Sequence, residues 1–194
     1  MSFASLFDFE SELAGYTGAP YAVVTDGCTH ALELVFRYYE IKNVAFSAYT
    51  YLSIPQLMVN LGIDYELLDQ TWQGEYQFHG TNVWDSARRL EPDMFRPGQI
   101  QCLSFGNTKP LVLGKVGAIL LDDGQAYQTL SQMRSDGRDL RIQPWDSQPR
   151  FTRGWHYCPT LESCRLGLEL LPKVEPQCQT AFYPDCRKIH IADT

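Results

Sequence analysis

A lysine in a short polar loop is the first feature of this sequence that could do chemistry. Lys109 follows an apolar run at residues 100–103, which has the length of a buried strand, and a second apolar run occupies residues 116–121. A lysine amine that burial or a nearby cation has deprotonated is a nucleophile, and it forms a Schiff base with a carbonyl carbon. Most loop lysines are solvated surface charges, so this interpretation depends on what other residues accompany Lys109.

A second segment predicts an anion-binding turn. Residues 21–24 form a short apolar strand, Gly27 permits a tight turn, and Thr29 can begin a helix whose apolar residues recur at helical spacing up to residue 39. Backbone N–H groups and the positive dipole end at the start of a helix favour an anion such as phosphate. The segment is neither a Walker loop nor a GxGxxG fingerprint, and it fits an ordinary capped core helix equally well.

A third segment places an acid at the end of a strand. Asp85 follows the apolar residues of the predicted strand at 81–84. A carboxylate at this position can keep a ring nitrogen protonated through a charge-assisted hydrogen bond. It could also be the N-cap of a helix that begins after it.

Taken in order, these segments resemble the motifs of the DegT/StrS family of sugar aminotransferases, which use pyridoxal phosphate (PLP). The resemblance covers roughly residues 9–173. The blocks that carry it lie at residues 17–32, 48–51, 85–88, 104–109 with Gly114 and Gly117, 133–138 and 153–167.

The resemblance implies a role for each matching residue. Lys109 would form the Schiff base with PLP and later move a proton between the substrate carbon and the cofactor, while Asp85 would pair with the pyridine nitrogen. The turn at Gly27 would hold the phosphate, with backbone N–H groups from Cys28 and Thr29 and the hydroxyl of Ser104. Tyr51, in preference to Tyr49, would stack on the ring, although core packing is the alternative for both tyrosines.

Several positions depart from the family pattern. Arg88 stands where a glutamine or histidine usually bonds the phenolic oxygen of the cofactor, and it adds a fixed positive charge. His156 stands where an asparagine usually reaches across a dimer interface toward the partner's phosphate. Cys28 and Gly106 also replace the usual residues. These departures weigh against efficient transamination more than against PLP binding.

Apolar runs alternate with helical patterns along the chain, which predicts an α/β fold with a mostly parallel sheet covered on both faces. The resemblance implies a three-layer large domain of the fold-type-I PLP transferases over residues 1–194, lacking the small C-terminal domain, with a helical tail allowed at residues 175–194. Strands are predicted at 21–24, 44–46, 64–67, 81–84, 100–103 and 116–121, and helices at 8–15, 29–40, 52–61, 123–134, 160–171 and 177–190.

The composition of the chain argues against some classes of function. The net charge is −7 and the pI is about 5.0, which argues against general nucleic-acid binding. The sequence shows neither a membrane span nor a basic leader, so we expect a cytoplasmic protein with reduced cysteines. A zinc site is the alternative for the cysteines that crowd the last third of the chain with His190, but their spacing matches no finger pattern. These are Cys158, Cys164, Cys178 and Cys186.

The function predicted from the resemblance is amino transfer from an amino acid, with glutamate as the expected donor, to a keto-sugar nucleotide. We expect a homodimer with shared active sites, which His156 of one chain would complete for the other. Three alternatives stay open: a PLP-binding domain that does not turn over, another PLP reaction on a small amino acid, and an interaction module without a cofactor.

Overall fold

Strands and helices alternate along most of the chain in the computed structural model, which describes residues 2–191. Every predicted strand, and every predicted helix up to residue 171, overlaps an observed element. The helices are α1 (Ala4–Thr17), α2 (Cys28–Tyr38), α3 (Ser53–Leu61), α4 (Gly124–Met133) and α5 (Leu161–Leu170). The strands are β1 (Tyr21–Thr25), β2 (Asn43–Ser47), β3 (Asp64–Leu68), β4 (Tyr76–Gln77), β5 (Val83–Asp85), β6 (Arg89–Leu90), β7 (Ile100–Ser104), β8 (Gly117–Leu121) and β9 (Gln177–Cys178).

The main sheet has the strand order β1-β8-β7-β5-β4. β5 and β7 pair in parallel, while β8 is antiparallel to both β7 and β1. β1, β5 and β7 therefore run in one direction, with β8 reversed between them and the short β4 reversed at the edge. β2 and β3 form a separate parallel pair. The long strands thus follow the predicted parallel arrangement, with β8 as the exception.

Helices cover both faces of the main sheet, which gives the predicted three layers. Neighbouring residues of a strand point to opposite faces, so Val23 packs with α2, α3 and α4, whereas Val24 packs with α1 and α5. All five residues of β8 are buried for this reason. A strand covered on both faces needs an unbroken apolar run, and the run at 116–121 in the sequence meets that need.

This topology brings the chemistry-bearing segments to one edge. Because β1, β5 and β7 share a direction, their carboxyl ends at Thr25, Asp85 and Ser104 lie along the same edge of the sheet. Ligands of such sheets bind at the carboxyl ends of the strands. The turn before α2, the Asp85 segment and the lysine loop all begin there.

The predicted helical tail is wrong for the part of it that the structure describes. Residues 174–191, which we call the tail segment, contain β9, a short 3₁₀ turn at 186–188 and extended chain. Pro176 and Pro184 explain the difference, because proline lacks an N–H and disfavours the α conformation of the residue before it. The end of the predicted tail, residues 192–194, lies outside the described residues.

No helix within residues 2–191 has the length and apolar character needed to cross a membrane.

Candidate active site

A cavity of about 470 Å³ opens at the carboxyl edge of the main sheet. This volume is in the range of small-molecule sites. Eight of the nine predicted site residues line it, and His156 does not. The eight are Gly27, Cys28, Thr29, Tyr51, Asp85, Arg88, Ser104 and Lys109.

Asp85 is buried, with 4% of its surface exposed, and it accepts two hydrogen bonds. The Tyr76 hydroxyl donates to Oδ2 at 3.0 Å, and the Ala87 N–H donates to Oδ1 at 3.0 Å. Burial raises the pKa of the Asp85 carboxyl, while the positive charge of Lys109 opposes that shift. No helix begins directly after Asp85, because residues 86–88 form a turn that leads into β6, so the alternative of a helix N-cap is wrong.

Lys109 lies in the predicted loop between β7 and β8. Its N–H donates to the Gly106 carbonyl at 3.0 Å, which closes a tight turn after β7. Its Nζ donates to the hydroxyl of Tyr183, in the tail segment, at 3.3 Å. A side chain at position 106 would have room, because a Cβ there would come no closer than 3.8 Å to its neighbours. The structure therefore gives no steric reason for the glycine of the lysine loop.

The predicted turn between β1 and α2 is present, with two corrections, and its binding of an anion stays a prediction. Helix α2 begins at Cys28, one residue before Thr29, and Gly27 is its N-cap residue. Gly27 has a φ of 177°, an extended conformation open to any residue, so its predicted role in permitting the turn is wrong. The Thr29 hydroxyl is bonded to the Ser53 hydroxyl at 2.7 Å, which leaves backbone N–H groups as the turn's contribution to an anion.

The glycine that this turn requires is Gly117, on β8. A Cβ there would clash with the backbone nitrogen of Cys28 and lie 2.5 Å from the carbonyl carbon of Gly27. The GxxG pattern at Gly114 and Gly117 was visible in the sequence, but its role depends on which chain segment packs against β8.

Arg88 is a further charged group of the cavity wall. Its Nη1 donates to Oε1 of Gln179 at 3.1 Å, and its guanidinium lies 5.3 Å from the centre of the Tyr183 ring. Its Nε is buried and has no hydrogen-bond partner within residues 2–191. A buried donor without an acceptor costs free energy, so a ligand oxygen in the cavity would stabilise it.

Aromatic and cysteine side chains complete the wall. Tyr51 is 62% exposed and lines the cavity, whereas the hydroxyl of Tyr49 donates to Asp69 at 2.8 Å outside it. Trp72 and Tyr183 also line the cavity and stack on each other at 6.1 Å, and sequence reasoning missed both. Burial and the nearby Asp85 carboxylate raise the pKa of the Cys28 thiol well above its usual value.

His30 is a further cavity residue that sequence reasoning missed. Its Nδ1 lies 2.5 Å from Oδ1 of Asp26, and its ring stacks on Tyr157 at 3.8 Å between centroids. Its position in the first turn of α2 was visible in the sequence. Its ring is held by Asp26 and Tyr157, neither of which lines the cavity.

His156 lies away from the cavity of its own chain. Its side chain is 87% exposed, and its Nδ1 lies 3.1 Å from both carboxylate oxygens of Asp136. An action on the partner's site therefore stays a prediction.

The cysteines of the zinc alternative are free thiols on separate elements. Cys164 is buried on α5, Cys178 lies on β9, and Cys186 lies in the last 3₁₀ turn. Across residues 2–191, no three His, Cys, Asp or Glu side chains are grouped so that they could hold a metal ion.

The sequence model of the DegT/DnrJ/EryC1/StrS aminotransferase family matches residues 4–73 and 95–180. The chain belongs to this family. The two matched ranges include the turn before α2 and the lysine loop, whereas Asp85 lies in the unmatched stretch between them. Comparison with curated protein sequences gave no match.

Solved structures show the same fold. The chain is similar to PseC from Helicobacter pylori, an aminotransferase involved in the biosynthesis of pseudoaminic acid, with a TM-score of 0.71 and 14% identity over 87% of this chain and 57% of that one. It is similar to AtS13 from Actinomadura melliaura, with a TM-score of 0.73 and 18% identity over 87% and 59% of the two chains. It is also similar to Spr1654 from Streptococcus pneumoniae in its PLP form, with a TM-score of 0.67 and 16% identity over 88% and 59%.

At these identities the likeness shows the fold alone. The chain spans less than two thirds of the length of each of these structures.

Proposed function

We propose that this chain binds PLP in the cavity through Lys109 and transfers an amino group from glutamate to a keto-sugar nucleotide. The observation that carries the proposal is the pairing of a lysine amine and a buried carboxylate in one cavity, at the end of the sheet where such folds bind ligands. The glutamate donor and the sugar-nucleotide acceptor rest on family membership.

The cavity residues fit PLP in charge and position. The N-terminus of α2 at Cys28, with the Ser104 hydroxyl, is suited to hold a phosphate dianion. Asp85 is suited to bind a protonated ring nitrogen. Burial destabilises the ionised form of its carboxyl group, and a cation beside the carboxylate offsets that cost. The unpartnered Nε of Arg88 offers a donor for the cofactor's phenolic oxygen.

PLP, when bound, supplies an electron sink for the electron pair released as a Cα–H bond breaks. The chain's own residues do the rest. The Lys109 amine would bind the cofactor at its carbonyl carbon, and the freed amine would afterwards carry the proton between the substrate carbon and the cofactor. Asp85 would keep the ring nitrogen charged, and Trp72 and Tyr51, which line the cavity, would limit the access of water.

We also propose that the active unit is a homodimer in which His156 of one chain approaches the phosphate of its partner. The support is the exposure of His156, its place in the family's block at residues 153–167, and the frequency of twofold dimers among soluble enzymes. We further propose that the chain works in the cytoplasm and takes part in polysaccharide biosynthesis.

A second candidate is a domain that binds PLP but does not turn over. The Arg88 guanidinium favours it, because a fixed positive charge in the wall opposes the protonation changes that transamination needs. Arg88→Gln separates the two candidates. Faster amino transfer in the variant would show that Arg88 restrains the reaction, and unchanged transfer would show that it does not.

The primary test is covalent capture of PLP. We expect borohydride reduction of the PLP-treated chain, followed by peptide mass mapping, to find the pyridoxyl group on Lys109. Lys115 also lines the cavity and is the matched control, so Lys115→Ala should retain the adduct and Lys109→Ala should lose it. Adducts only on other lysines would disprove the assignment. Donor and acceptor are then identified by the transfer of ¹⁵N from labelled glutamate to a panel of keto-sugar nucleotides.

A further inference from the structure

The tail segment contributes Tyr183 to the lining of the cavity and is fixed to the domain on both sides of this residue. On the N-terminal side of Tyr183, β9 pairs with β6, and the Gln179 N–H donates to the Arg88 carbonyl at 2.9 Å. On the C-terminal side of Tyr183, the Cys186 N–H donates to the Ala48 carbonyl at 2.9 Å, and the buried Cys186 thiol contacts the Thr50 carbonyl at 3.4 Å. The intervening residues 180–185 therefore form a short arch with both ends held.

Tyr183 is the residue of this arch that faces the cavity. Its hydroxyl lies 3.3 Å from Lys109 Nζ, and its ring centre lies 5.3 Å from the guanidinium of Arg88 and 6.1 Å from the ring centre of Trp72. Its neighbour Phe182 points outward and is 87% exposed. The arch thus presents one aromatic side chain to the site and the adjacent one to solvent.

We propose that Tyr183 is a positioning residue of the active site, which the chain's own tail segment places in the cavity wall to hold Lys109. This inference rests on the proposed role of Lys109 as the lysine that binds the cofactor. The tail segment forms a wall of the cavity and leaves it open to a ligand, because about 470 Å³ remains with Tyr183 in its lining.

The chemistry of the two groups suits this role. A lysine ammonium can only donate, and its amine form can accept, whereas a tyrosine hydroxyl does both. Tyr183 can therefore keep a hydrogen bond to Nζ while Lys109 is charged and reverse it when the amine is neutral. The Arg88 guanidinium over the ring fixes the position of Tyr183 through a cation–π contact, which adds to the stacking on Trp72.

The first test uses the apo chain and does not depend on PLP. The rate at which acetic anhydride labels Lys109 is measured by peptide mass mapping, with the exposed Lys173 as an internal reference. We expect Tyr183→Phe to raise the relative rate roughly threefold to tenfold, the effect of losing one hydrogen bond, and Tyr183→Ala to raise it further by opening the wall. Phe182→Ala, the matched control on the same arch, should leave the rate unchanged. Wild-type rates in both Tyr183 variants would overturn the proposal.

The second test uses the PLP-loaded chain and reports on the hydroxyl. We expect Tyr183→Phe to shift the pH titration of the visible absorbance band, while Phe182→Ala leaves it in place. An unshifted titration in Tyr183→Phe would refute a role of the hydroxyl in positioning Lys109. The two failures are distinguishable: faster labelling without PLP binding sinks the proposed function alone, and PLP capture on Lys109 with unchanged labelling sinks the role of Tyr183 alone.

Discussion

The Tyr76 hydroxyl donates a 3.0 Å hydrogen bond to Oδ2 of Asp85, and its oxygen lies 2.8 Å from the hydroxyl of Thr50. All three side chains are buried, so the acid of the site is held by a short chain of hydroxyl groups. The Ala87 N–H fixes the other carboxylate oxygen. Asp85 is therefore preorganised before any ligand arrives.

We expect Tyr76→Phe to raise the pKa of Asp85 further, because the variant removes a donor that stabilises the ionised carboxylate. It should also lower the free energy of unfolding by about 1 kcal/mol, the typical contribution of one hydrogen bond. NMR titration of the Asp85 carboxyl and denaturant unfolding measure the two effects. Tyr127→Phe, whose hydroxyl bonds Arg141 outside the site, is the control. An unaltered Asp85 titration in Tyr76→Phe would contradict this relationship.

Asp85→Asn should change the pH dependence of stability and weaken the binding of PLP. Burial raises the pKa of the Asp85 carboxyl in the folded chain above its ordinary value of 3.8. The folded apo chain therefore binds the carboxyl proton more tightly than the unfolded chain does, and its free energy of unfolding falls as the pH rises from the ordinary pKa to the folded-state pKa. The variant should lack this loss from about pH 4 upward. Its PLP affinity should fall by roughly tenfold to a hundredfold, because a hydrogen bond to a charged group is lost. Thermal unfolding against pH and fluorescence titration with PLP measure both, and wild-type PLP affinity in the variant would show that Asp85 does not hold the ring.

Gly117→Ala should destabilise the chain and weaken phosphate binding together. The added methyl clashes with the backbone at Cys28 and Gly27, so either β8 or the start of α2 must move. Overpacking of this kind costs about 1–3 kcal/mol. Gly27→Ala is the steric control for unfolding, because a Cβ there has no atom within 4 Å. Equal stability of the two variants would contradict the close approach of β8 and the turn.

Glu10→Gln should destabilise the fold more than Gly117→Ala does. Glu10 and Arg134 are both buried and paired, and Glu10 Oε1 also accepts from the Val24 N–H at 2.9 Å. Removing the carboxylate leaves the Arg134 charge without a counterion, which typically costs about 3–5 kcal/mol. Urea unfolding measures this cost. Glu12→Gln on the exposed side of the same helix should leave stability unchanged, and a similar loss in both variants would refute the assignment.

The shared-site dimer predicts complementation. Light scattering should give twice the 22.2 kDa chain mass. Mixing Lys109→Ala chains with His156→Ala chains should restore one intact site per mixed dimer, because the first supplies His156 to the Lys109 of the second. Neither variant alone should recover amino transfer. A monomeric mass with full PLP occupancy would rule out the shared site.

The sequence by itself determined the order of the elements up to residue 171 and which acid, lysine and turn form the candidate site. Lys109, Asp85 and the turn before α2 each follow a strand, and strands of one direction bring their carboxyl ends to one edge. Apolar run length and family motifs are local signals, so they could be read without knowing which segments meet. The sequence also carried Pro176 and Pro184, which argue against a helical tail.

Only the tertiary structure decided what surrounds these groups. Tyr183 lies 74 residues from Lys109 in the chain, Gly117 touches a turn some 90 residues earlier, and Tyr76 meets Asp85 across a strand pair. The GxxG pattern marks Gly117 but not the turn that it touches, and no local pattern marks Tyr183 or Tyr76, because a tyrosine reads the same whether it packs in the core or faces a cavity. Their roles follow from which backbone segments the folded chain brings within van der Waals distance, and that depends on packing over the whole domain.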